Sequence, residues 1–375
     1  MLQPAELREQ TAARLQAALG QAGALRAFVG LDGFVDEIIH VVDKRDSAEK
    51  FHRLTTISKL ADRLKGAAGK STNIELVTQR TKLGGNGPIM ANALARLGLQ
   101  VTYVGALGFP ALHPVFADFA RQARVHSICE PGHTDALEFE DGKLMLGKTA
   151  HFNEINWEEI QKRYGRAPFM ENFSSADLVG FVNWTMVPCM SRLWESLLQE
   201  FAPAPGARRR RIFFDLADPE KRTPADIEQA LGLIARFERH FDVILGLNEK
   251  EAHEIGKVLG LNTTDRTPEG LAALTAAIQA RTPVDTLVVH PVTHAVAATG
   301  GAVVQVEGPF VDKPLITTGA GDHFNSGFCL GKLLGLDNSG ALLTGVTCSG
   351  HYVRSAQSPT LENLVSMLRD WPARA

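Results

Sequence analysis

The chain has 375 residues, of which 45% are hydrophobic and 22% are charged, with a formal net charge of -3. This composition is typical of a globular protein with a sizeable core and excludes the disordered and fibrous classes. Because acidic and basic residues nearly balance, nothing indicates a nucleic-acid or membrane partner. The polar N-terminal segment and four scattered cysteines predict a cytoplasmic protein without disulfide bonds or a zinc site.

Short apolar runs alternate with helical patterns along most of the chain. The predicted buried strands lie at 27–34, 101–108, 178–185, 212–218, 242–249 and 286–291, and two of the helices lie at 88–98 and 192–201. The helix at 88–98 ends at Gly98, a residue typical of helix C-termini. Continuous apolar strands alternating with helices predict a mainly parallel sheet covered on both faces.

Two segments interrupt this alternation. Residues 35–85 are long and mixed and end in an alternating stretch, whereas residues 135–153 form two alternating runs around Asp141-Gly142, a hairpin signal. We predict that segments within 35–85 and 133–155 form a small β appendage of one domain spanning 1–375. It would be a structural hairpin, a lid over a cleft, or a contact that makes a homodimer.

The segment 315–331, LITTGAGDHFNSGFCLG, carries the clearest chemistry. Small residues at Gly319, Ala320 and Gly321 would let the backbone approach a ligand, and free N–H groups at a helix N-terminus bind anions. The helix N-terminus would also keep the Asp322 carboxylate ionised and able to accept a proton. Such a site suits phosphoryl transfer to a hydroxyl. The alternative is that Asp322 only caps the helix.

Four segments, in this order along the chain, resemble the signatures of the ribokinase (PfkB-type) carbohydrate kinases. They are GLDGFVDEI (30–38), LGGNGPIMANALARLGLQVTYVGALG (83–108), GLNEKEAHEI (246–255) and TTGAGDHFNSGF (317–328). The resemblance extends over nearly the whole chain. It implies a ribokinase-like three-layer α/β/α fold with a mainly parallel central sheet and a small β lid.

The resemblance also implies a reaction, the ATP-dependent phosphorylation of a hydroxyl on a small sugar or sugar-like acceptor. It makes Asp322 the catalytic base and the backbone of Gly319, Ala320 and Gly321 the anion hole. The acceptor-binding groups that it implies are Gly84, Gly85 and Asn86, together with Asp32 or Asp36.

The same resemblance implies a nucleotide site in which Mg²⁺ is reached through phosphates and water, without a direct protein ligand. It assigns Asn248, Glu251 and Thr318 to the nucleotide and its magnesium. Asn248 and Glu251 also fit a capping box, in which the two residues satisfy the first turn of a helix. The two roles are compatible.

Three departures from the family pattern bear on specificity. Ile89 stands where the family has an asparagine, and Asn86 stands where ribokinase has a lysine, so the acceptor is not identified. Ile316 precedes Thr317-Thr318 in place of an aspartate that helps to bind a monovalent cation in some members, which argues against potassium dependence. Bulky residues at 290–294 would reshape the nucleotide side and could change the phosphoryl donor.

Two other functions remain open from the sequence. A nucleoside kinase would use the same fold and catalytic residues, and a non-catalytic sugar or nucleotide sensor would need no base. A nicotinamide dehydrogenase fits less well, because Gly85-Asn86-Gly87 lacks the third glycine of the dinucleotide fingerprint.

Overall fold

The computed structural model describes residues 4–203 and 206–372. In chain order the strands are β1 (Arg26–Leu31), β2 (Phe34–Arg45), β3 (Phe51–Arg53), β4 (Leu76–Gly84), β5 (Gln100–Gly105), β6 (Arg124–Ser127), β7 (Gly132–Phe139), β8 (Gly142–Lys148), β9 (Leu178–Phe181), β10 (Arg210–Asp215), β11 (Phe241–Asn248), β12 (Thr286–His290), β13 (His294–Thr299) and β14 (Ala302–Glu307). The helices are α1 (Pro4–Ala17), α2 (Ile57–Gly66), α3 (Asn86–Arg96), α4 (Ala117–Gln122), α5 (Trp157–Arg163), α6 (Arg166–Ser175), α7 (Met190–Glu200), α8 (Pro224–Phe237), α9 (Glu249–Val258), α10 (Pro268–Arg281), α11 (Ala320–Leu333), α12 (Asn338–Ser355) and α13 (Leu361–Arg369).

The main sheet has nine strands in the order β14-β13-β12-β11-β10-β9-β1-β5-β6. All neighbouring strands from β12 to β6 pair in parallel, and β13 runs antiparallel to both of its neighbours. Parallel strands need covered faces, and their uninterrupted apolar sequences meet that need. In the centre of the sheet, the β10 residues Ile212, Phe213 and Phe214 are fully buried.

Helices cover both faces of the main sheet and form two separate cores. On one face, α5, α6, α7, α8, α9 and α10 supply side chains such as Phe173 and Ile234. On the other face, α1, α3, α4, α11, α12 and α13 supply Leu94, Phe328 and Leu364, among others. The three-layer α/β/α architecture predicted from the sequence is therefore confirmed.

A second, smaller sheet contains β2, β3, β4, β7 and β8 and is called the small sheet below. Its central strand β2 pairs with β3, β4 and β7, and β7 pairs with β8 through a hairpin that closes at Phe139 and Gly142. These strands come from the two segments that interrupt the α/β alternation, so the predicted β appendage is present. Among the described residues no helix is long and apolar enough to cross a membrane. Cys129, Cys189, Cys329 and Cys348 are free, as predicted.

The predicted strands are correct in place but too long at their C-terminal ends. The strands predicted over 178–185 and 212–218 end at Phe181 and Asp215. Polar residues follow each buried run, and the chain leaves the sheet where they begin. These strand ends lie on one edge of the sheet, where ligands bind in open α/β folds.

Candidate active site

A cavity of about 400 Å³ lies between the strand ends, the start of α11 and the small sheet. Asn183, Asp215, Asn248 and His290 enter it from the main-sheet side. The residues that enter it from the small sheet are Phe34, Asp36, Thr134, Met145 and Gly147. A cavity of this volume suits a small ligand, and its polar groups converge from opposite walls.

The turn that precedes α11 contains the residues predicted to form an anion hole. Gly319 is the N-cap with a φ of 92°, a left-handed conformation that favours glycine. The N–H groups of Gly319 and Gly321 have no acceptor in the part of the chain that the structure describes. The Ala320 N–H, in contrast, donates to the Thr317 carbonyl at 3.1 Å. Of the three residues predicted to form the anion hole, Gly319 and Gly321 therefore keep a free N–H group, whereas Ala320 does not.

Asp322 lies in the first turn of α11, lines the cavity and is only 6% exposed. The Asn86 side-chain amide donates to its Oδ1 at 3.0 Å. This hydrogen bond connects the signature segment 83–108 to the signature segment 317–328. Burial, followed by the charge of Asp215, raises the pKa of Asp322 well above its usual value. The sequence analysis considered only the helix N-terminus, which favours the ionised carboxylate, whereas burial and the charge of Asp215 act in the opposite direction. Once deprotonated, a carboxylate with a raised pKa is a stronger base.

Asp32 and Asp36 occupy different places although both were candidates for acceptor binding. The Asp36 carboxylate lines the cavity, and Lys82 Nζ lies 4.0 Å from its Oδ2. Asp32 is fully buried behind the wall of the cavity. Its carboxylate accepts hydrogen bonds from Asn86 N at 3.0 Å, Gly87 N at 2.8 Å and Asn183 Nδ2 at 2.7 Å. Asp32 thus anchors the start of α3.

Gly84 and Gly85 connect the small sheet to α3. A Cβ atom at Gly84 would overlap the Asp36 carboxylate. At Gly85 φ is 95°, and a Cβ atom would lie 3.0 Å from Asp32 Oδ2. Gly85 and Asn86 line the cavity, whereas Gly84 is the last residue of β4 behind them. Both glycines therefore permit close approach of the chain to the two carboxylates.

Asn248 and Glu251 form the capping box that the sequence allowed. Asn248 Oδ1 accepts from Glu251 N, and Glu251 Oε2 accepts from Asn248 N, each at 2.9 Å. Glu251 Oε1 accepts a third bond from Asp218 N at 2.8 Å. Both side chains also line the cavity, and burial raises the pKa of Glu251. Capping and a place in the cavity coexist, and Thr318 lines the same cavity.

Sequence reasoning missed Asp215 and Asn183, and it assigned His290 only as one of the bulky residues 290–294 on the nucleotide side. Asp215 ends β10 and accepts from Ala217 N at 2.8 Å and Asn325 Nδ2 at 2.9 Å. Burial and the charge of Glu251 raise the pKa of Asp215 well above its usual value. The signal was available, since each of these polar residues ends or follows a buried strand on the same edge of the sheet.

His290 stands between the two predicted phosphate-binding elements. It pairs with Asn248 across β11 and β12, and a Cβ atom at Gly321 would lie 3.0 Å from its Cε1. Its ring packs against Phe324 with centroids 4.8 Å apart, and burial lowers its pKa to about 4. The imidazole is therefore neutral near pH 7 and contributes shape and hydrogen bonding rather than charge.

The model of the prokaryotic ketohexokinase family matches residues 6–371 of this chain. The chain belongs to the prokaryotic ketohexokinase family. A ketohexokinase from Haloferax volcanii is 29% identical over 343 residues, which cover 90% of this chain and 89% of that protein. The family membership makes this chain a carbohydrate kinase of the PfkB type, as the sequence motifs indicated.

Solved structures share the fold of this family member at low sequence identity. A ribokinase from Arabidopsis thaliana, complexed with ribose and ATP, has a TM-score of 0.63 with 17% identity over 92% of this chain and 98% of that chain. A carbohydrate kinase from Agrobacterium tumefaciens has a TM-score of 0.62 with 17% identity over 93% of this chain and 98% of that chain. At this identity the likeness supports the ribokinase fold alone.

Proposed function

We propose that this sugar kinase transfers the γ-phosphoryl group of ATP to a hydroxyl of a ketohexose, with Asp322 as the base. The observation that carries the proposal is the hydrogen bond from Asn86 to Asp322 inside the cavity. It places the candidate base beside the segment predicted to bind the acceptor. The name of the Haloferax volcanii relative supports a ketohexose as acceptor.

The acceptor would lie between α3, the small sheet and Asp322. Asp36, Asn86 and the Gly85 backbone supply polar groups for its hydroxyls. Ile89 and Phe34 line the same cavity and offer apolar surface to the carbon skeleton. The small sheet covers this side and would act as the predicted lid, excluding water that competes for the phosphoryl group.

The nucleotide would lie toward Asn248, His290 and the turn before α11. Among the described residues that line the cavity, Lys221 is the only lysine or arginine, and its Nζ lies 3.0 Å from Asp218 Oδ2. The phosphates would compete with Asp218 for this charge. The negative charge of Glu251 acts on the buried Asp215 carboxylate and raises its pKa, so the two carboxylates repel each other when both are ionised. A divalent cation would relieve that repulsion. The oxygen-rich residues therefore fit Mg²⁺, which they would hold through its bound waters.

In the reaction, Asp322 takes the proton of the acceptor hydroxyl while the oxygen of that hydroxyl forms a bond to the γ-phosphorus. The bond from that phosphorus to the bridging oxygen of ATP breaks, and ADP leaves. Backbone N–H groups of Gly319 and Gly321 hold the charge on the moving group. Mg²⁺ bound with ATP would neutralise charge on the phosphates.

A substrate panel tests this function. Purified protein with ATP and Mg²⁺ would be assayed for ADP release with ketohexoses, aldohexoses, polyols and nucleosides. We expect turnover with a ketohexose above all others. Preference for a nucleoside would favour a nucleoside kinase. Binding of ATP or sugar without turnover on the whole panel would favour a sensor.

Two further expectations accompany the proposed function. Turnover should not require potassium, because Ile316 stands where cation-dependent members have an aspartate; equal rates in potassium, sodium and choline salts would support this. The exposed Leu146 on β8, which points to the face of the small sheet opposite Met145, supports a homodimer through this sheet. Light scattering of the purified protein measures its mass, and a monomer at all concentrations would contradict a dimer.

A further inference from the structure

The carbonyl groups of the anion-binding turn are held from behind by two aromatic side chains. Tyr352, on α12, donates its hydroxyl to the Thr318 carbonyl at 3.0 Å. His323, on α11, contacts the Gly319 carbonyl through Nδ1 at 2.7 Å. The two rings stack with centroids 3.6 Å apart and planes 13° apart. Each ring therefore limits the movement of the other.

His323 belongs to a series of hydrogen bonds in which each group donates to the next, ending at the Gly319 carbonyl. A carbonyl oxygen only accepts, so Nδ1 must carry the proton that binds Gly319. Burial lowers the pKa of His323 to about 4, so near pH 7 its Nε2 is unprotonated and accepts from Ser358 Oγ at 2.8 Å. Ser358 Oγ in turn accepts from Asn92 Nδ2 at 3.3 Å. This chain of donors fixes both the tautomer and the position of the imidazole.

Tyr352 acts on the peptide that carries one of the free donors. The Thr318 carbonyl and the Gly319 N–H belong to one planar trans peptide and point in opposite directions. Fixing the carbonyl on α12 therefore fixes the direction of the N–H. Burial raises the pKa of Tyr352 to about 12, so its hydroxyl keeps its proton in any ordinary assay.

We propose that Tyr352 and His323 are positioning residues for phosphoryl transfer, which orient the turn at Thr318 and Gly319 so that its N–H groups meet the developing charge. The inference rests on the proposed function. Neither side chain lines the cavity, so neither touches the reacting atoms. Preorganised donors act mainly on the transition state, so their loss lowers kcat more than it changes KM.

The first test is Tyr352→Phe, which keeps the ring and its stack and removes only the hydroxyl. We expect kcat to fall by about tenfold to a hundredfold, with KM for ATP and acceptor within about twofold. Tyr164→Phe is the matched control, because the Tyr164 hydroxyl accepts from Asn172 Nδ2 outside the cavity. Its kcat should equal that of the wild type.

A second pair of variants separates orientation from packing. His323→Asn keeps an amide donor close to the place of Nδ1, whereas His323→Leu keeps bulk without a donor. We expect the asparagine variant to retain clearly more of the wild-type kcat than the leucine variant. Thermal unfolding of all variants reports whether the fold is intact.

A binding measurement provides a readout besides turnover. ADP with aluminium fluoride and acceptor mimics the moving phosphoryl group, and its affinity should fall in Tyr352→Phe by the same factor as kcat. Affinity for ADP alone should not change. An active wild type with an unimpaired Tyr352→Phe variant would overturn this inference alone. A wild type inactive toward every acceptor would overturn the proposed function and this inference with it.

Discussion

Replacing Asp36 by asparagine should weaken the binding of the sugar while leaving the nucleotide site unchanged. Asp36 lines the cavity on the small-sheet side, whereas Asn248 and His290 lie on the other side. Asparagine keeps the size of the side chain and removes its charge. The change therefore isolates the contribution of one carboxylate to acceptor binding.

The size of the effect follows from the burial of Asp36, which is 4% exposed. A charged acceptor of this kind contributes about 1.5–3 kcal/mol per hydrogen bond. Because about 1.4 kcal/mol corresponds to tenfold, KM for the ketohexose should rise by about 10-fold to 150-fold. Burial also raises the pKa of Asp36, which means that the ionised carboxylate does not stabilise the folded protein. The asparagine variant should therefore fold.

The assay is steady-state kinetics with each substrate varied at a saturating concentration of the other. Asp43→Asn is the matched control, because Asp43 lies on the same strand, is exposed and has its Oδ1 4.0 Å from Arg63 Nη1. The reasoning is refuted if Asp36→Asn leaves KM for the sugar unchanged. An equal rise of KM for ATP would refute it as well.

Three further predictions concern residues near the cavity. Burial raises the pKa of Asp32 from 3.8 to about 6, so the wild type loses stability as pH rises through this interval. Asp32→Asn should remove about 3 kcal/mol of that dependence, and urea unfolding at pH 4 and pH 7 measures the difference; parallel curves would contradict it. Gly85→Val should raise KM for the acceptor more than KM for ATP, because valine is strained at a φ of 95° in the link between the small sheet and α3; an unchanged KM for the acceptor would count against a role of Gly85 in acceptor binding. His290→Ala should raise KM for ATP and change the preference between ATP and GTP, and unaltered donor kinetics would exclude a role at the nucleotide.

Much of the fold follows from local patterns in the sequence. Buried apolar runs that alternate with helices pack as a covered parallel sheet. The β7–β8 hairpin forms where Asp141-Gly142 predicts one, although the two turn residues are Glu140 and Asp141 and Gly142 begins β8. Helix α11 begins at Ala320, within the run of small residues before Asp322 that indicates a helix start. These features depend on neighbours in the chain, which the sequence contains.

The remaining features of the site depend on tertiary packing. Nothing near Asn86 in the sequence indicates its bond to Asp322, which joins residues 236 positions apart. The raised pKa of Asp322 arises from burial and from Asp215, and the sequence analysis considered only the local helix dipole. The choice between Asp32 and Asp36 also needs the fold, because both follow β1 within a few residues and only Asp36 reaches the cavity.

The most direct test of the account is the turnover of Asp322→Asn with ATP and a ketohexose. Asparagine can still accept the bond from Asn86 through its carbonyl oxygen, so the cavity should keep its form and its affinity for both substrates. Because a positioned base contributes about 10²–10⁴-fold, we predict that kcat falls by at least about a hundredfold. Turnover within about tenfold of the wild type, with an unchanged melting temperature, would contradict Asp322 as the base.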